Sequence, residues 1–481
     1  MKKTNVLFLM ADEHSPRVLG CYGNPVIRTP NLDGLAAAGT RFTSAYTPCP
    51  ICVPARGALQ TGRYVHQIGS WCNGTPYHGQ VRGWGHRLID LGHRVVSVGK
   101  LHLRSSDDAN GFDEEILPMH VLDGIGDLYG MLRSPPPRRP GIRLLAEKVG
   151  AGDSSYTGYD TRITEKACEW IRTTGPGTQK PWVLFVSFVR PHFPLIAPER
   201  FMRHYLKANL PRPFGSPPDH PVMREIRRIQ NYDDYFADDE HRRQAIAAYY
   251  GMVDAVDEDI GRVLDTLGDS GQADDTLVIY SSDHGDNLGN RGFWGKSNMY
   301  EDSAGVPMIL AGPGVPRGAV VSTPVTLLDL PQTIIEAVGE RLTEEERNGL
   351  PGRSLFDILD GQHIDRAVLS EYHAVAAITG IFMVRHRNWK FVYFVGHPPQ
   401  LFDLAADPLE QNDLGGDPTF EDTRRMLESR LRAICDPEEV SARAFREQAA
   451  MIERHGGLDA ILKRGEFPHT PAPGEAPIMG S

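Results

Sequence analysis

Two cysteines stand three residues apart in Cys49-Pro50-Ile51-Cys52, and Val53-Pro54-Ala55-Arg56 follows. A thiol pair at this spacing at a helix start can form a strained redox disulfide. The same segment offers a second chemistry. Pro54 sits where a helix begins and Arg56 in its first turn, so free backbone amides and a guanidinium converge beside position 52, which favours an anionic substrate. Elsewhere, Asp12 and the pair Asp283-His284 each follow an apolar run, as do Gly99-Lys100-Leu101-His102 and Arg190-Pro191-His192, while Gly295-Lys296 follows the Asp283 segment. Singly, each has an ordinary explanation: a turn or helix cap for Asp12, a solvated charge for either lysine, a turn between prolines for His192. Together, their placement after strands brings them to the carboxyl edge of one sheet, where α/β proteins bind ligands. One preorganised donor contributes about 3–4 kcal/mol of the roughly 8–23 kcal/mol an enzyme supplies, so several cationic groups in one pocket are chemically proportionate.

Cys52, Pro54 and Arg56, continued by Leu59, Thr61, Gly62 and Arg63, match the signature C-x-P-x-R…L-x-T-G-R at seven positions of a twelve-residue window. Here the chain resembles the type I sulfatases, and a match of this length outweighs the redox pair. The resemblance implies that a separate formylglycine-generating enzyme oxidises Cys52 to formylglycine, whose hydrate attacks sulfur with one hydroxyl and expels sulfate with the other. It carries Asp12, residue 52, Asp283 and His284 onto the shell of one divalent metal ion. Ca²⁺ is the family's usual occupant, and the imidazole also admits Mn²⁺ or Zn²⁺. Glu13 departs from the family, which mostly has a second aspartate there, and from the choline-sulfatase and phosphonate monoester hydrolase branches, which have glutamine; it is taken as a further metal ligand.

The resemblance further implies that Lys100 and His102, in a G-K-x-H element, flank the aldehyde. Arg56 and Lys100 would hold the geminal oxygens and the sulfate, His192 or Lys296 would protonate the departing alcohol, and His102 would take a proton from the remaining hydroxyl. Asn73, twenty-one residues after Cys52, matches a substrate-side asparagine of the same two branches. The expected activity is hydrolysis of sulfate monoesters, as in arylsulfatases and choline-sulfatases. The alternative is a phosphonate monoester or phosphodiester hydrolase on the same scaffold. Glu13 and His284 lean towards it; Lys100 and His102 lean away, because those enzymes carry tyrosine and threonine there. A silent binding protein for sulfated ligands would have no need of an oxidisable cysteine in this motif. Trp71, Tyr77 and Trp84 are candidates for an aromatic wall around the leaving group or, alternatively, for core. His66, His78 and His86, and Cys21, Cys72, Cys168 and Cys435, carry no assigned role.

The elements that must position these groups are legible in the periodicity. Asn5–Met10, Arg94–Val98, Trp182–Val189, Thr276–Ser281 and Val306–Ala311 read as strands between helical patterns, the order of a mostly parallel sheet flanked by helices. Pro30–Ala38 reads as a helix with Thr29 as its cap, and Ile246–Leu267 as a long amphipathic one. The resemblance makes this an alkaline-phosphatase-like α/β fold. Two proline-rich stretches, Ser134–Gly141 and Pro211–Pro221, read as walls or lids. From about Asp365 short strands at Ala374–Arg385, Lys390–Val395 and Gln400–Asp403 and a helix at Glu421–Ile434 suggest an antiparallel α+β subdomain. The expected division is 1–364, 365–466 and an extended tail, 467–481, that is mobile or packs on a neighbouring copy in a homo-oligomer.

Composition sets the outer bounds. The 481 residues carry 51 Lys plus Arg against 62 Asp plus Glu, a net charge of −11 that argues against nucleic acid as a partner. Six cysteines are too few for a disulfide scaffold at this length, which points to a cytoplasmic setting. The apolar run Val6–Ala11 is too short for a signal peptide and leads into Asp12-Glu13-His14. No stretch approaches the ~18 apolar residues of a membrane span.

Overall fold

Val6–Ala11 is apolar throughout, and a strand that reads this way belongs in the middle of a sheet covered on both faces. The computed structural model, which describes residues 3–361, 365–466 and 468–477, places it there. Eight strands, β1 Asn5–Asp12, β2 Thr40–Phe42, β3 Val95–Lys100, β4 Glu114–Met119, β5 Val183–Pro191, β6 Thr276–Ser282, β7 Met308–Ala311 and β8 Ala319–Val321, form one sheet in the order β8-β2-β7-β6-β1-β5-β3-β4. All run parallel except β7, which is antiparallel to β6 and β2. The pleat separates two cores. Leu7, Leu9 and Ala11 join one with Val96, Val98, Leu184, Val256 and Ile260, while Val6, Phe8 and Met10 join the other with Phe185, Ile279, Leu310 and Ile334.

The helix expected over Pro30–Ala38 has those bounds, the one expected over Ile246–Leu267 is longer, and the one over Ser155–Thr173 was not expected. α1 is Pro30–Ala38, α2 Cys52–Thr61, α3 Ser155–Thr173 and α4 Asp239–Asp269. α4 extends seven residues before Ile246 because Asp238 caps it through His241 N and acidic residues occupy its first turn. Thr29 stands at the N-cap of α1, but its hydroxyl accepts from Gly20 N; the α1 amides of Asn31 and Leu32 are satisfied by the Asp257 carboxylate of α4. No helix among the described residues is long and apolar enough to cross a membrane.

The C-terminal part contains a four-stranded antiparallel sheet, β9 Val368–Tyr372, β10 Ile381–His386, β11 Trp389–Phe394 and β12 Gln400–Asp403. The expected single strand over Ala374–Arg385 is corrected: residues 373–380 form the β9–β10 connection, and β9 was missed. The helices α5 Glu421–Arg432 and α6 Pro437–Arg454 follow, of which only the first was expected. The small sheet shares one apolar core with Tyr46, Cys49, Ile51 and Trp71, and Glu371 N donates to Pro48 O at 2.9 Å, so it buttresses the segment leading into Cys52. The expected boundary at 364/365 adjoins residues 362–364, which lie outside the described residues, as do Phe467 and residues 478–481 of the tail.

Candidate active site

Strand register assembles the site. Met10 pairs with Ser281 and Ala11 with Ser282, so Asp12 and Asp283 leave adjacent strands side by side. On the other side of β1, β5 ends at Pro191, next to His192, and its neighbour β3 ends at Lys100. Across this edge lies the N-terminus of α2, which begins at Cys52 with no side-chain cap at Ile51. Of its first amides, Val53 N donates to Asn73 Oδ1 at 3.2 Å and Ala55 N to Ile51 O at 3.1 Å, while Pro54 has none to satisfy. The rest of the signature serves the helix itself: Leu59 packs in the core, and Gly62 ends α2 in the left-handed conformation (φ 68°) with its amide bonded to Ala58 O.

The expected residues fall into two layers. The inner one holds Asp12, Asp283, His284 and Arg56, all buried. One donor atom each from Asp12, Cys52, Asp283 and His284 lies within 4.8 Å of the others. His284 Nδ1 lies 3.1 Å from Gly285 O, a carbonyl that can only accept, so Nδ1 bears the proton and the Nε2 lone pair is free, 3.1 Å from Cys52 Sγ. Two carboxylates and an imidazole in the tautomer required of a ligand fit a divalent cation. Glu13 stands apart from this quartet and groups with Asp12 and His192. Its Oε2 accepts from Lys296 Nζ at 2.8 Å, and Oε1 is buried without a hydrogen-bond partner.

Arg56 does not turn to the cavity, contrary to the expectation that it grips the sulfate. Its Nε donates to Asp283 at 2.8 Å, Nη2 to Asp12 at 2.9 Å, and Nη1 to Lys100 O at 2.7 Å and Ser187 Oγ at 2.9 Å. A buried guanidinium surrounded by these acceptors braces the carboxylates.

The outer layer lines a cavity of about 80 Å³: Cys52, Asn73, Lys100, His102, His192 and Lys296, with Glu13. Lys100 Nζ lies 2.7 Å from Asp12 Oδ2, and Lys296 Nζ lies 3.5 Å from Cys52 Sγ. His192 Nδ1 is 2.7 Å from the Phe193 carbonyl and therefore carries the proton, leaving Nε2 3.4 Å from Glu13 Oε2. Glu13 (φ 67°), His102 (φ 57°) and Ser297 (φ 83°) are held in left-handed backbone, a concentration of strain typical of functional loops.

Burial and charge set the protonation states. Burial would raise Asp12, but Lys100, His192, Arg56 and Lys296 hold it well below the usual carboxylate range. Burial pushes Glu13 up to about 7 against the pull of Lys296. Burial, with Lys296 and Lys100 alongside, depresses His192; burial and Lys100 do the same to His102. Burial and Asp12 push the Cys52 thiol up to about 12, and burial raises Cys49 as well. A redox dithiol requires the opposite shift, so the Cys49/Cys52 redox reading falls.

Trp71, Tyr77 and Trp84 are buried in the core, and none lines the cavity. His86 caps Gly83 N, and His66 pairs with Glu371. The cavity wall comes instead from residues that motif reasoning missed: Asp127, Arg139, Tyr232, Glu466, His469 and Thr470. Arg139 does lie in Ser134–Gly141, one of the two stretches expected to form walls. The other, Pro211–Pro221, contributes to a separate cavity. The tail was expected to be mobile or to pack on a neighbouring copy; of its described residues, Pro468, His469 and Thr470 line its own chain's site, where Thr470 Oγ1 lies 2.7 Å from His102 Nε2. His102 and Tyr156 supply polar partners for the tail that its proline-rich composition did not advertise.

Comparison with known proteins agrees with this geometry. A family model described as Sulfatase matches residues 4–340, and one described as N-sulphoglucosamine sulphohydrolase, C-terminal, matches residues 289–436. The chain is 32% identical to the choline-sulfatase of Rhizobium meliloti (strain 1021) over 433 residues, covering 86% of this chain and 83% of that protein. It is 29% identical to arylsulfatase K of Danio rerio, covering 92% and 86%. The phosphonate monoester hydrolase of Agrobacterium radiobacter shares its fold, with a TM-score of 0.72 at 24% identity over 90% of this chain and 95% of that one.

Proposed function

Because the chain belongs to the sulfatase family and is a sulfuric ester hydrolase, we propose that it cleaves sulfate monoesters of small alcohols or phenols, with residue 52 as formylglycine. The observation that carries this reading is the convergence of Cys52, Lys100, Lys296, His102 and His192 on one small cavity backed by a buried acidic layer. A divalent ion, with Ca²⁺ favoured by the carboxylates and Mn²⁺ or Zn²⁺ admitted by His284, fits Asp12, Asp283, His284 and the side chain at 52 and supplies Lewis acidity there. Formylglycine supplies an oxygen nucleophile and, through its second hydroxyl, a route to release sulfate.

The remaining work falls to the chain's own side chains. Asp12, Glu13 and Asp283 formally balance Arg56, Lys100 and Lys296, so a bound divalent ion leaves the site cationic and receptive to an anion. Lys100 and Lys296 hold the sulfate oxygens at the cavity wall. Arg56 keeps Asp12 and Asp283 in place and is a positioning residue. Asn73 seats the first turn of α2 through Val53 N. A neutral His192 accepts at Nε2, and the Glu13 carboxyl opposite is poised to carry a proton near pH 7. This pair delivers the proton to the departing oxygen. His102, kept neutral by burial, accepts the proton when sulfate leaves.

A second reading, hydrolysis of phosphonate monoesters, is favoured by the same acidic layer and by Glu13 beside His192. Sulfate release from phenyl sulfate and phenol release from phenyl phenylphosphonate, with and without chelator, separate the two. The sulfatase reading expects a higher kcat/KM on the sulfate; a preference above tenfold for the phosphonate overturns it. Mass analysis of a peptide spanning position 52 in protein matured by a formylglycine-generating enzyme tests the nucleophile. An intact thiol in fully active protein would refute it.

A further inference from the structure

Part of the wall of the cavity that Cys52 lines is not built by the sheet. It is made where two excursions meet: the loop containing Arg139 and Gly141, and the C-terminal segment containing Glu466, Pro468, His469 and Thr470. They are joined by a buried charge cluster. Arg139 Nε donates to Glu466 Oε2 at 2.6 Å and Arg139 Nη1 to Asp127 Oδ2 at 2.8 Å, with Glu466 1% and Arg139 10% exposed at the side chain. The other Glu466 oxygen accepts from Gly141 N, and a Cβ at position 141 would come within 2.9 Å of it. Glycine there lets the carboxylate reach the backbone.

Four residues on, the segment is anchored again. Thr470 Oγ1 meets His102 Nε2, Tyr156 OH donates to Thr470 O at 2.5 Å, and the His469 ring lies edge-on to Tyr156 and Phe193 at 5.5 and 5.9 Å. One anchor therefore touches His102, and the other ties together two segments of the cavity wall.

We propose that Arg139 and Glu466 form a clasp that sets how large a leaving group the site accepts. The inference deepens the ester-hydrolase reading and rests on it. The cavity volume of about 80 Å³ is small beside the ~300–1,000 Å³ of sites that take drug-sized ligands. Room for a tetrahedral anion leaves little for the group attached to it. Bulkier esters fit only if the two excursions part, and the buried ion pair with its amide bond opposes that. Compact esters fit with the clasp shut.

The test compares kcat/KM for phenyl sulfate and 2-naphthyl sulfate, whose leaving groups are similar in acidity and differ in size. Glu466→Gln, which removes the charge attraction, is expected to raise the naphthyl-to-phenyl ratio at least tenfold, mainly through a lower KM for the naphthyl ester. Gly141→Ala, which crowds Glu466 without changing any charge, should move the ratio in the same direction and decides the matter if the first variant does not fold. An unchanged ratio, with both substrates slowed equally, overturns the clasp. Absence of sulfate release by the parent enzyme counts against the function, not the clasp. The ratio is then read on phenyl and naphthyl phenylphosphonates with the same two outcomes.

Discussion

Arg56 and Asp12 meet at 2.9 Å, both buried, and the same guanidinium reaches Asp283 at 2.8 Å, so one cation spans the carboxylates that leave two adjacent strands. Bracing of this kind depends on a planar fork, which lysine cannot reproduce. Arg56→Lys should therefore weaken binding of Ca²⁺ or Mn²⁺ by about 10–100-fold, the usual cost of losing a group that orients metal ligands. Titration calorimetry on the apoprotein measures it. Parent-like metal affinity in a folded Arg56→Lys variant would mean that Arg56 does not orient the ligands.

Metal removal should be visible as lost stability. An ion at ~100 times its dissociation constant stabilises by about 2.7 kcal/mol, so chelator should lower Tm by about 2–3 °C and Ca²⁺ or Mn²⁺ should restore it. In His284→Ala the chelator-dependent shift should shrink, because the Nε2 lone pair beside Cys52 is gone. Differential scanning calorimetry with and without chelator gives both values. A shift of the same size in His284→Ala removes His284 from the metal shell.

His192 is assigned to leaving-group protonation because its Nε2 faces Glu13 across 3.4 Å. Acid assistance matters most for a poor leaving group, so His192→Gln should lose about 10²–10⁴-fold on an alkyl sulfate and distinctly less on 4-nitrophenyl sulfate. Steady-state kinetics on both substrates decides. Equal losses would make His192 a binding residue.

Away from the site, Asp257 makes a prediction for stability. Burial pushes its carboxyl up to about 6, against the amides of Leu32 and Asn31 and the Asn31 side chain that it caps. The folded protein thus holds a proton on Asp257 more tightly than the unfolded chain does. Stability should fall as pH rises from about 4 to about 6, by roughly 3 kcal/mol at most at 1.36 kcal/mol per unit. Asp257→Asn should flatten that part of the profile even though it weakens one cap. Urea unfolding across pH 4–7 would show it, and a slope that persists in the variant assigns the effect to another group.

Which residues gather at the site was largely legible in the chain because they sit in short local motifs. Cys52-x-Pro54-x-Arg56 lies on one helix turn, and Asp12, Lys100 and Asp283 each fall at or just past the end of a strand whose apolar run announces it. The central strand was legible as well, since an unbroken apolar run such as Val6–Ala11 is a property of neighbouring residues; which of its side chains joins which core was not. Only the tertiary structure decided where side chains point and what meets across long separations. It turned Arg56 away from the substrate and towards Asp12 and Asp283. It gave Glu13 to Lys296 and His192, sank Trp71 into the core, and brought Glu466 327 residues back to Arg139. Those outcomes depend on packing between elements distant in the chain. No local pattern encodes them, because a salt bridge or wall contact becomes favourable only after the fold has excluded water and removed the alternatives.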